Sequence, residues 1–103
     1  MKVMVSKDFI KTAKKQSGKI LQSIKTVLLE VEQADSIEDL TNCKKLVGYD
    51  NIYRLRIGSL RSFFVLLIEA DESGEYTVVF EYLVNRGEAY SKEMNEKLRS
   101  KDS

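Results

Sequence analysis

The chain has 103 residues, of which 43% are hydrophobic and 32% charged, and its 17 basic and 16 acidic side chains leave a formal net charge of +1. This size and composition predict one globular domain spanning residues 1–103, with a core of its own and no disordered linker. The longest uninterrupted apolar run, residues 63–68, is too short to span a bilayer, and the N-terminus lacks the apolar stretch of a signal peptide. We therefore expect a cytoplasmic protein with no membrane partner.

Missing residue types narrow the chemistry further. The sequence contains no histidine, so the commonest general base and the usual zinc ligand are absent. Cys43 is its only cysteine, which excludes an internal disulfide and predicts a packing role for this side chain. The five glycines are isolated and form no phosphate-binding loop. Any catalysis must therefore use Arg, Lys, Tyr or carboxylate side chains.

The small net charge conceals a segregation of charge along the chain. Residues 1–33 and residues 44–68 each carry a balance of +4, whereas residues 69–81 carry −5. A chain with separated charges can present a basic groove to an anionic partner while its total stays near neutral. The simpler interpretation is that these charges only solvate the surface, and it is favoured for the N-terminal lysines.

The N-terminal half predicts a strand followed by two helices. Alternating β-branched residues predict a first strand over residues 2–6, and a helix is expected from Asp8, which is placed to cap it. Gly18 interrupts this helix. Apolar residues then recur at spacings of three and four from Ile20 to Val31, which is the clearest helical pattern in the sequence. We expect this apolar stripe to pack in the core.

The C-terminal half predicts three antiparallel strands and a short helix. Apolar and basic residues alternate over residues 53–57, and strands over residues 60–69 and 75–84 follow, joined by a turn at residues 71–74. Helical spacing resumes from residue 89 to about residue 97. The expected fold class is α+β, with a small antiparallel sheet of about four strands, two N-terminal helices packed on one face and a short C-terminal helix.

The first hairpin carries basic side chains in a pattern that predicts an anion site. If Gly58 and Ser59 form the turn, Arg56 lies directly opposite Arg61, on the sheet face that also carries Arg54. Like charges opposite each other on one face repel, and the hairpin has no acidic residue to compensate them. Guanidinium groups bind phosphate through paired hydrogen bonds, so a bound phosphate chain would explain the cluster. The alternative is that Arg54 and Arg56 simply face solvent.

Several segments, in their order and spacing, resemble the RelE/ParE superfamily of bacterial toxins, the toxic halves of type II toxin–antitoxin modules. The resemblance covers most of the chain and rests on residues 45–48, on the hairpin over residues 53–61 and on residues 85–90. In the ribosome-dependent ribonucleases of this superfamily, basic residues on two strands, an Arg after the last strand and a Tyr beyond it line the active groove. The resemblance thereby implies five catalytic residues: Arg54, Arg56, Arg61, Arg86 and Tyr90. Lys44, Lys45 and Arg54 are the candidate RNA-binding residues.

The resemblance also implies a reaction, namely cleavage of messenger RNA in the ribosomal A site by attack of a ribose 2′-hydroxyl on the adjacent phosphate. No metal ion or other cofactor is required. Arg54 and Arg61 would stabilise the charge that develops on the phosphate oxygens, and Arg86 would stabilise the leaving 5′-oxygen. Tyr90 would stack on a base or accept the 2′-hydroxyl proton. The second role falls to Tyr90 because related ribonucleases carry Lys where this chain has Arg56, and an arginine does not lose its proton in proteins. The expected partners are a cognate antitoxin, the 70S ribosome and messenger RNA, and formation of a homodimer is left open.

Three functional classes remain open at this point. The first is the ribosome-dependent endoribonuclease, the second a ParE-like toxin that inhibits DNA gyrase by binding, and the third a non-catalytic binding module that keeps the fold. The presence of all five candidate catalytic positions favours the first. Arg86 could instead pair with Glu88, and Tyr90 could pack in the core with Met94 and Leu98.

Overall fold

The protein is a five-stranded sheet with helices on both faces, and the computed structural model describes residues 1–67 and 72–102. In chain order the elements are β1 (Lys2–Val5), α1 (Lys7–Lys14), α2 (Gly18–Gln33), β2 (Cys43–Lys45), β3 (Ile52–Ile57), β4 (Leu60–Leu67), β5 (Thr77–Asn85) and α3 (Lys92–Lys101). Short 3₁₀ turns at Ile37–Asp39 and Arg86–Glu88 precede β2 and α3. The predicted α+β class and order of elements are confirmed. Within the described residues, no helix combines the length and the apolar character needed to cross a membrane.

The strands are ordered β1-β5-β4-β3-β2, with β1 parallel to β5 and the other neighbours antiparallel. The sheet has one strand more than the four expected, because residues 43–45 pair with β3. Three residues are too few to leave a readable alternation in the sequence. The predicted end of β4 at residue 69 and the predicted turn at residues 71–74 involve residues 68–71, which lie outside the described residues.

The hairpin between β3 and β4 has the predicted register. Ile57 pairs with Leu60 and Arg56 pairs with Arg61 across the two-residue turn. Gly58 has a φ of +59°, in the left-handed region that glycine adopts without a side-chain clash. The turn therefore fixes which face of the sheet each arginine occupies.

One face of the sheet is covered by α1 and α2, and we call it the α1/α2 face. Phe64 lies at its centre, with its ring 5.2 Å from the ring of Phe80 and stacked on Tyr53 at the same distance. Ile24 and Val31 of α2 are buried against it, as the apolar stripe predicted. This large apolar cluster supplies most of the core.

The opposite face, which we call the α3 face, is only partly covered. Met94 and Leu98 of α3 are buried against Ile52, Phe63 and Tyr82, which form a second and smaller apolar cluster. Helix α3 begins after Ser91, whose hydroxyl accepts a hydrogen bond from the Met94 amide at 3.1 Å. The remaining part of this face carries the basic side chains.

Helix α3 is fastened to the loop that leads into β3, and we call these contacts the α3 latch. The Asp102 carboxylate accepts hydrogen bonds from the amides of Asp50 at 2.8 Å and Asn51 at 2.9 Å. The Arg99 guanidinium lies 5.0 Å from the centre of the Tyr49 ring, a cation–π distance. The contacts join residues about fifty positions apart, so no local sequence pattern predicts them.

Candidate active site

The strand registers bring four of the predicted basic residues to the α3 face. Lys44 pairs with Arg54, and Arg56 pairs with Arg61. Side chains alternate between the two faces along a strand, and Ile52 of β3 and Phe63 of β4 belong to the α3 face. Lys44, Arg54, Arg56 and Arg61 therefore share that face with them, and we call these four residues the arginine face.

Lys45 does not join the arginine face. It pairs with Tyr53, which packs against the cluster on the α1/α2 face. The alternation along β2 therefore directs Lys45 to the side of the sheet opposite Lys44. The two neighbouring lysines predicted as RNA-binding residues are separated by the sheet.

Arg54 and Tyr90 are brought together, although 36 positions separate them in the sequence. The Nη1 group of Arg54 donates a hydrogen bond to the Tyr90 hydroxyl at 3.3 Å. Tyr90 precedes α3 and is 57% exposed, whereas Met94 and Leu98 are buried. The exposure rules out the alternative that Tyr90 is a core residue.

The Nε atom of Arg54 is buried and has no hydrogen-bond partner among the described residues. A buried donor without a partner normally costs about 1–3 kcal/mol, so such atoms are rare in native proteins. An unpaired donor on a basic face is the feature expected of a site that an anion completes.

Arg61 is the most constrained residue of the arginine face. It is only 8% exposed, and its Nη1 group donates to the carbonyl oxygens of Gly58 at 3.1 Å and Leu60 at 3.0 Å. A guanidinium carries five N–H donors. The two bonds hold the plane of the group through Nη1, and they do not use the donors on Nη2 and Nε. Such a preorganised group can bind an oxyanion with little further ordering.

Arg56 and Arg86 are exposed, and neither side chain forms a hydrogen bond or ion pair with a described residue. Arg56 also borders a polar groove on the α2 side, together with Asn42. Arg86 opens the 3₁₀ turn after β5. Its predicted alternative partner, Glu88, instead accepts a hydrogen bond from the side-chain Nδ2 group of Asn85 at 3.3 Å.

The arginine face keeps its charge. Among the residues that the structure describes, no carboxylate lies within ion-pair distance of Lys44 or of any of the four arginines from Arg54 to Arg86. On the other face, burial raises the pKa of the Cys43 thiol to about 11, although Arg54 lowers it in part. Burial also raises the pKa of Tyr82 beside the site, with Glu81 and Asp8 adding to the effect. The arginine face is therefore cationic, and the described residues provide no counter-ion for it.

The comparisons with known proteins agree with this architecture. No protein-family model matches the chain. The toxin RelE3 of Methanocaldococcus jannaschii is 34% identical over 91 residues, which are 87% of this chain and 96% of that protein. A chain of the RelB–RelE antitoxin–toxin complex from Methanococcus jannaschii has a TM-score of 0.66 and 28% identity, and the match covers 84% of this chain and 94% of that one.

A more distant structure extends the likeness to the fold of the whole chain. A mutant of the Escherichia coli toxin RelE in the free state has a TM-score of 0.65, covering 97% of this chain and 95% of that one, at 18% identity. Such a low identity supports a common fold alone, whereas the archaeal relative exceeds 30% identity over almost its full length. The chain therefore belongs to the RelE family of toxins.

Proposed function

We propose that this RelE-family protein cleaves messenger RNA on the ribosome and that the arginine face, with Arg86 and Tyr90, is its active site. The observation that carries the proposal is that Arg54, Arg56 and Arg61 share one sheet face, and that no carboxylate of the described residues lies within ion-pair distance of them. Guanidinium groups match the geometry of phosphate oxygens, and an RNA phosphate would also give the buried Nε of Arg54 its missing acceptor.

The reaction is a transesterification within the RNA. The 2′-hydroxyl gives its proton to the Tyr90 oxygen or to water, and its oxygen forms a bond to the adjacent phosphorus. The bond from phosphorus to the 5′-oxygen breaks and this oxygen takes a proton from water, so the products are a 2′,3′-cyclic phosphate and a 5′-hydroxyl. Negative charge grows on the non-bridging oxygens in the transition state, where Arg54 and Arg61 would bind them. Arg86 would stabilise the leaving 5′-oxygen. Tyr90 would contact the ribose-phosphate through its hydroxyl and a base through its exposed ring.

The first test is expression of the isolated protein in growing cells, followed by toeprinting of ribosome-bound messages. We expect growth arrest and cuts within the A-site codon. Arg61→Ala and Arg86→Ala should each lower the cleavage rate by about 100-fold or more, because each removes a donor aimed at developing charge. Lys25→Ala on α2 removes one charge from the other side of the molecule and should leave the rate unchanged.

Two results would contradict the proposal. Intact messages in arrested cells, accompanied by a loss of DNA supercoiling, would identify the protein as an inhibitor of gyrase. If Arg61→Ala and Arg86→Ala cleave messages as fast as Lys25→Ala, these arginines take no part in the reaction. Thermal unfolding of each variant shows whether a loss of activity reflects a loss of structure.

Tyr90 offers a finer test of the same site. Phe keeps the aromatic ring but lacks the hydroxyl, so Tyr90→Phe retains stacking and loses both proton transfer and the contact with Arg54. Activity close to wild type in Tyr90→Phe, with a loss in Tyr90→Ala, would assign a stacking role. Equal losses in both variants would assign the role to the hydroxyl.

We further infer that the protein is one half of a toxin–antitoxin pair and acts in the cytoplasm, where ribosomes are found. Similar solved chains come from RelB–RelE antitoxin–toxin complexes. The expected antitoxin is an adjacent gene product that covers the cationic face and prevents RNA binding. Co-expression with the product of the adjacent reading frame should restore growth and yield a complex on purification, and a failure of both would refute the pairing.

A further inference from the structure

A groove of about 390 Å³ lies beside the arginine face, between α1 and α3. Its floor is β5 at residues 82–84, one wall is α1, and the other wall is formed by the end of β5 and the start of α3. Val84 in the floor pairs with Arg61 in the sheet, so β5 is the border between the groove and the arginine face. The groove therefore begins about 4.8 Å, one strand spacing, from Arg61.

The α1 wall of the groove is basic because of helical spacing. Asp8, Lys11, Thr12 and Lys15 are three or four positions apart, so they form one polar side of α1, while Phe9 is buried in the core on another side. This side borders the groove along its length.

The Ser6 hydroxyl joins the start of α1 to β5, beside the packing of Phe9 on Phe80. The Ser6 hydroxyl caps α1 by accepting the Phe9 amide at 3.1 Å, and it donates to the Glu81 carbonyl of β5 at 2.6 Å. The register along β4 and β5 shifts next to Glu81, between Phe63 and Phe64, which marks a β-bulge. The wall and the floor of the groove are thus held together at one end.

The opposite wall adds a third lysine. The ammonium group of Lys97 lies 5.9 Å from the centre of the Tyr82 ring in the groove floor. Two carboxylates border the groove, and one of them, Glu88, is already hydrogen-bonded to Asn85. Lysines with neighbouring amide groups suit a ligand that combines phosphates with hydrogen-bonding bases.

We propose that this groove binds the part of a single-stranded RNA that extends beyond the scissile phosphate, with Lys11, Lys15 and Lys97 contacting its phosphates. The proposal rests on the proposed ribonuclease function and extends it. An RNA strand that crosses Arg61 and continues across the sheet passes over Val84 and enters between the two walls. The volume lies near the lower limit for ligand sites, so we expect it to take about one flanking nucleotide.

The experiment measures binding of a fluorescent hexauridylate whose riboses carry 2′-O-methyl groups, so that it cannot be cleaved. The groove variant is Lys11→Ala, Lys15→Ala and Lys97→Ala combined. The matched control is Lys7→Ala, Lys14→Ala and Lys92→Ala combined, which removes the same three charges from α1 and α3 at positions that do not border the groove. Anisotropy titrations at several salt concentrations give the affinity and its salt dependence.

We expect the groove variant to bind about tenfold more weakly than wild type and the control to lose less than about threefold. The slope of log affinity against log salt should fall by about 1 in the groove variant, since one flanking nucleotide brings one or two phosphates into the groove and each lost phosphate contact on a single strand contributes about 0.7. Replacing the same three lysines by arginine should retain the affinity. Circular dichroism and thermal unfolding check that each variant folds.

Three outcomes would overturn the proposal. Equal losses in the groove variant and the control would show an effect of net charge alone. No detectable binding of the hexamer to the wild-type protein would show that single-stranded RNA is not the ligand of the groove. A methylated dinucleotide has a single phosphate, which Arg61 would hold, so its binding should be insensitive to the groove variant, and a loss equal to that of the hexamer would refute a continuous path. Because the probe cannot be cleaved, a groove effect without message cleavage would refute the ribonuclease function alone.

Discussion

On the α1/α2 face, the inward positions of β3 and β4 are apolar or aromatic except for Ser62, whose hydroxyl donates to the Leu55 carbonyl at 2.8 Å. On the α3 face, the same two strands carry apolar residues at one end and arginines at the other. Two helices cover the first face, and one ten-residue helix covers only the apolar end of the second. A longer helix would bury the unpaired guanidinium groups, and the free energy lost by removing these charges from water would exceed the gain from its additional packing. The comparison shows that the α1/α2 face stabilises the fold, while the α3 face leaves room for a ligand.

The largest expected effect on stability is at the centre of the α1/α2 face. Phe64→Ala should lower the free energy of unfolding by about 3–5 kcal/mol, because it leaves a cavity between Tyr53 and Phe80 that the sheet cannot close. Urea denaturation followed by circular dichroism measures the change. Phe64→Leu fills part of the space and should cost less. A loss smaller than that of a comparable substitution under α3 would contradict the assignment of the main core to this face.

That comparable substitution is Leu98→Ala, in the buried side of α3. We expect a loss of about 2–3 kcal/mol, because the short helix lies at the margin of the sheet and can partly collapse onto the cavity. Hydrogen exchange should show faster exchange within α3 and little change in α2. Glu96→Ala on the exposed side of α3 is the matched control. If hydrogen exchange became faster by the same factor throughout the chain, the two faces would unfold as one unit.

Breaking the α3 latch should lower the free energy of unfolding by less than either core substitution. Asp102→Ala removes the acceptor of two backbone hydrogen bonds and should cost about 1–2 kcal/mol, with the loss confined to α3 and the loop before β3 in hydrogen exchange. Lys101→Ala is the neighbouring control, because the ion pair of its exposed ammonium group with Glu81 is 4.0 Å long and contributes less than about 1 kcal/mol. Equal effects of the two substitutions would show that the latch adds nothing to helix docking.

The effect with the least weight at neutral pH is the pH dependence due to Cys43, at the edge of the α1/α2 face, because its thiol is protonated there in both the folded and the unfolded chain. The folded chain keeps this thiol protonated up to a pKa of about 11, whereas the unfolded chain ionises near 9.0. The unfolded state therefore binds fewer protons between these values, and the free energy of unfolding should fall as the pH rises from about 9 to about 11. Cys43→Ser removes this contribution, so the difference between the two pH profiles isolates it. Identical profiles would contradict the assigned burial of the thiol.

The sequence predicted local features of this molecule well. The apolar stripe from Ile20 to Val31 indicated a buried helix, and Gly58-Ser59 indicated the hairpin register that places Arg56 opposite Arg61, because both patterns lie within a few residues. The resemblance to the family added Arg86 and Tyr90, which no periodicity indicates. Of these, the structure brings Tyr90 into contact with Arg54.

Features that depend on distant residues were not predictable from the sequence. The separation of Lys44 from Lys45 follows from pairing of a three-residue strand, and the α3 latch joins Asp102 to a loop about fifty positions earlier. The groove beside Arg61 combines α1, β5 and α3, so its lysines have no common sequence pattern. Alternation along a strand predicts which face of the sheet a side chain occupies, but its contacts on that face depend on tertiary packing.

The parallel pairing of β1 with β5 also bears on how the chain is made. The Ser6 hydroxyl that fastens α1 to β5 binds the carbonyl of a residue 75 positions later, so this contact closes a loop comprising most of the protein. Contacts of such long range form late and slowly in folding, whereas the hairpin of β3 and β4 is local. A nascent chain therefore cannot complete its sheet until β5 has left the ribosome. Any surface that needs the completed sheet, the candidate active site included, therefore forms only after β5 has been synthesised.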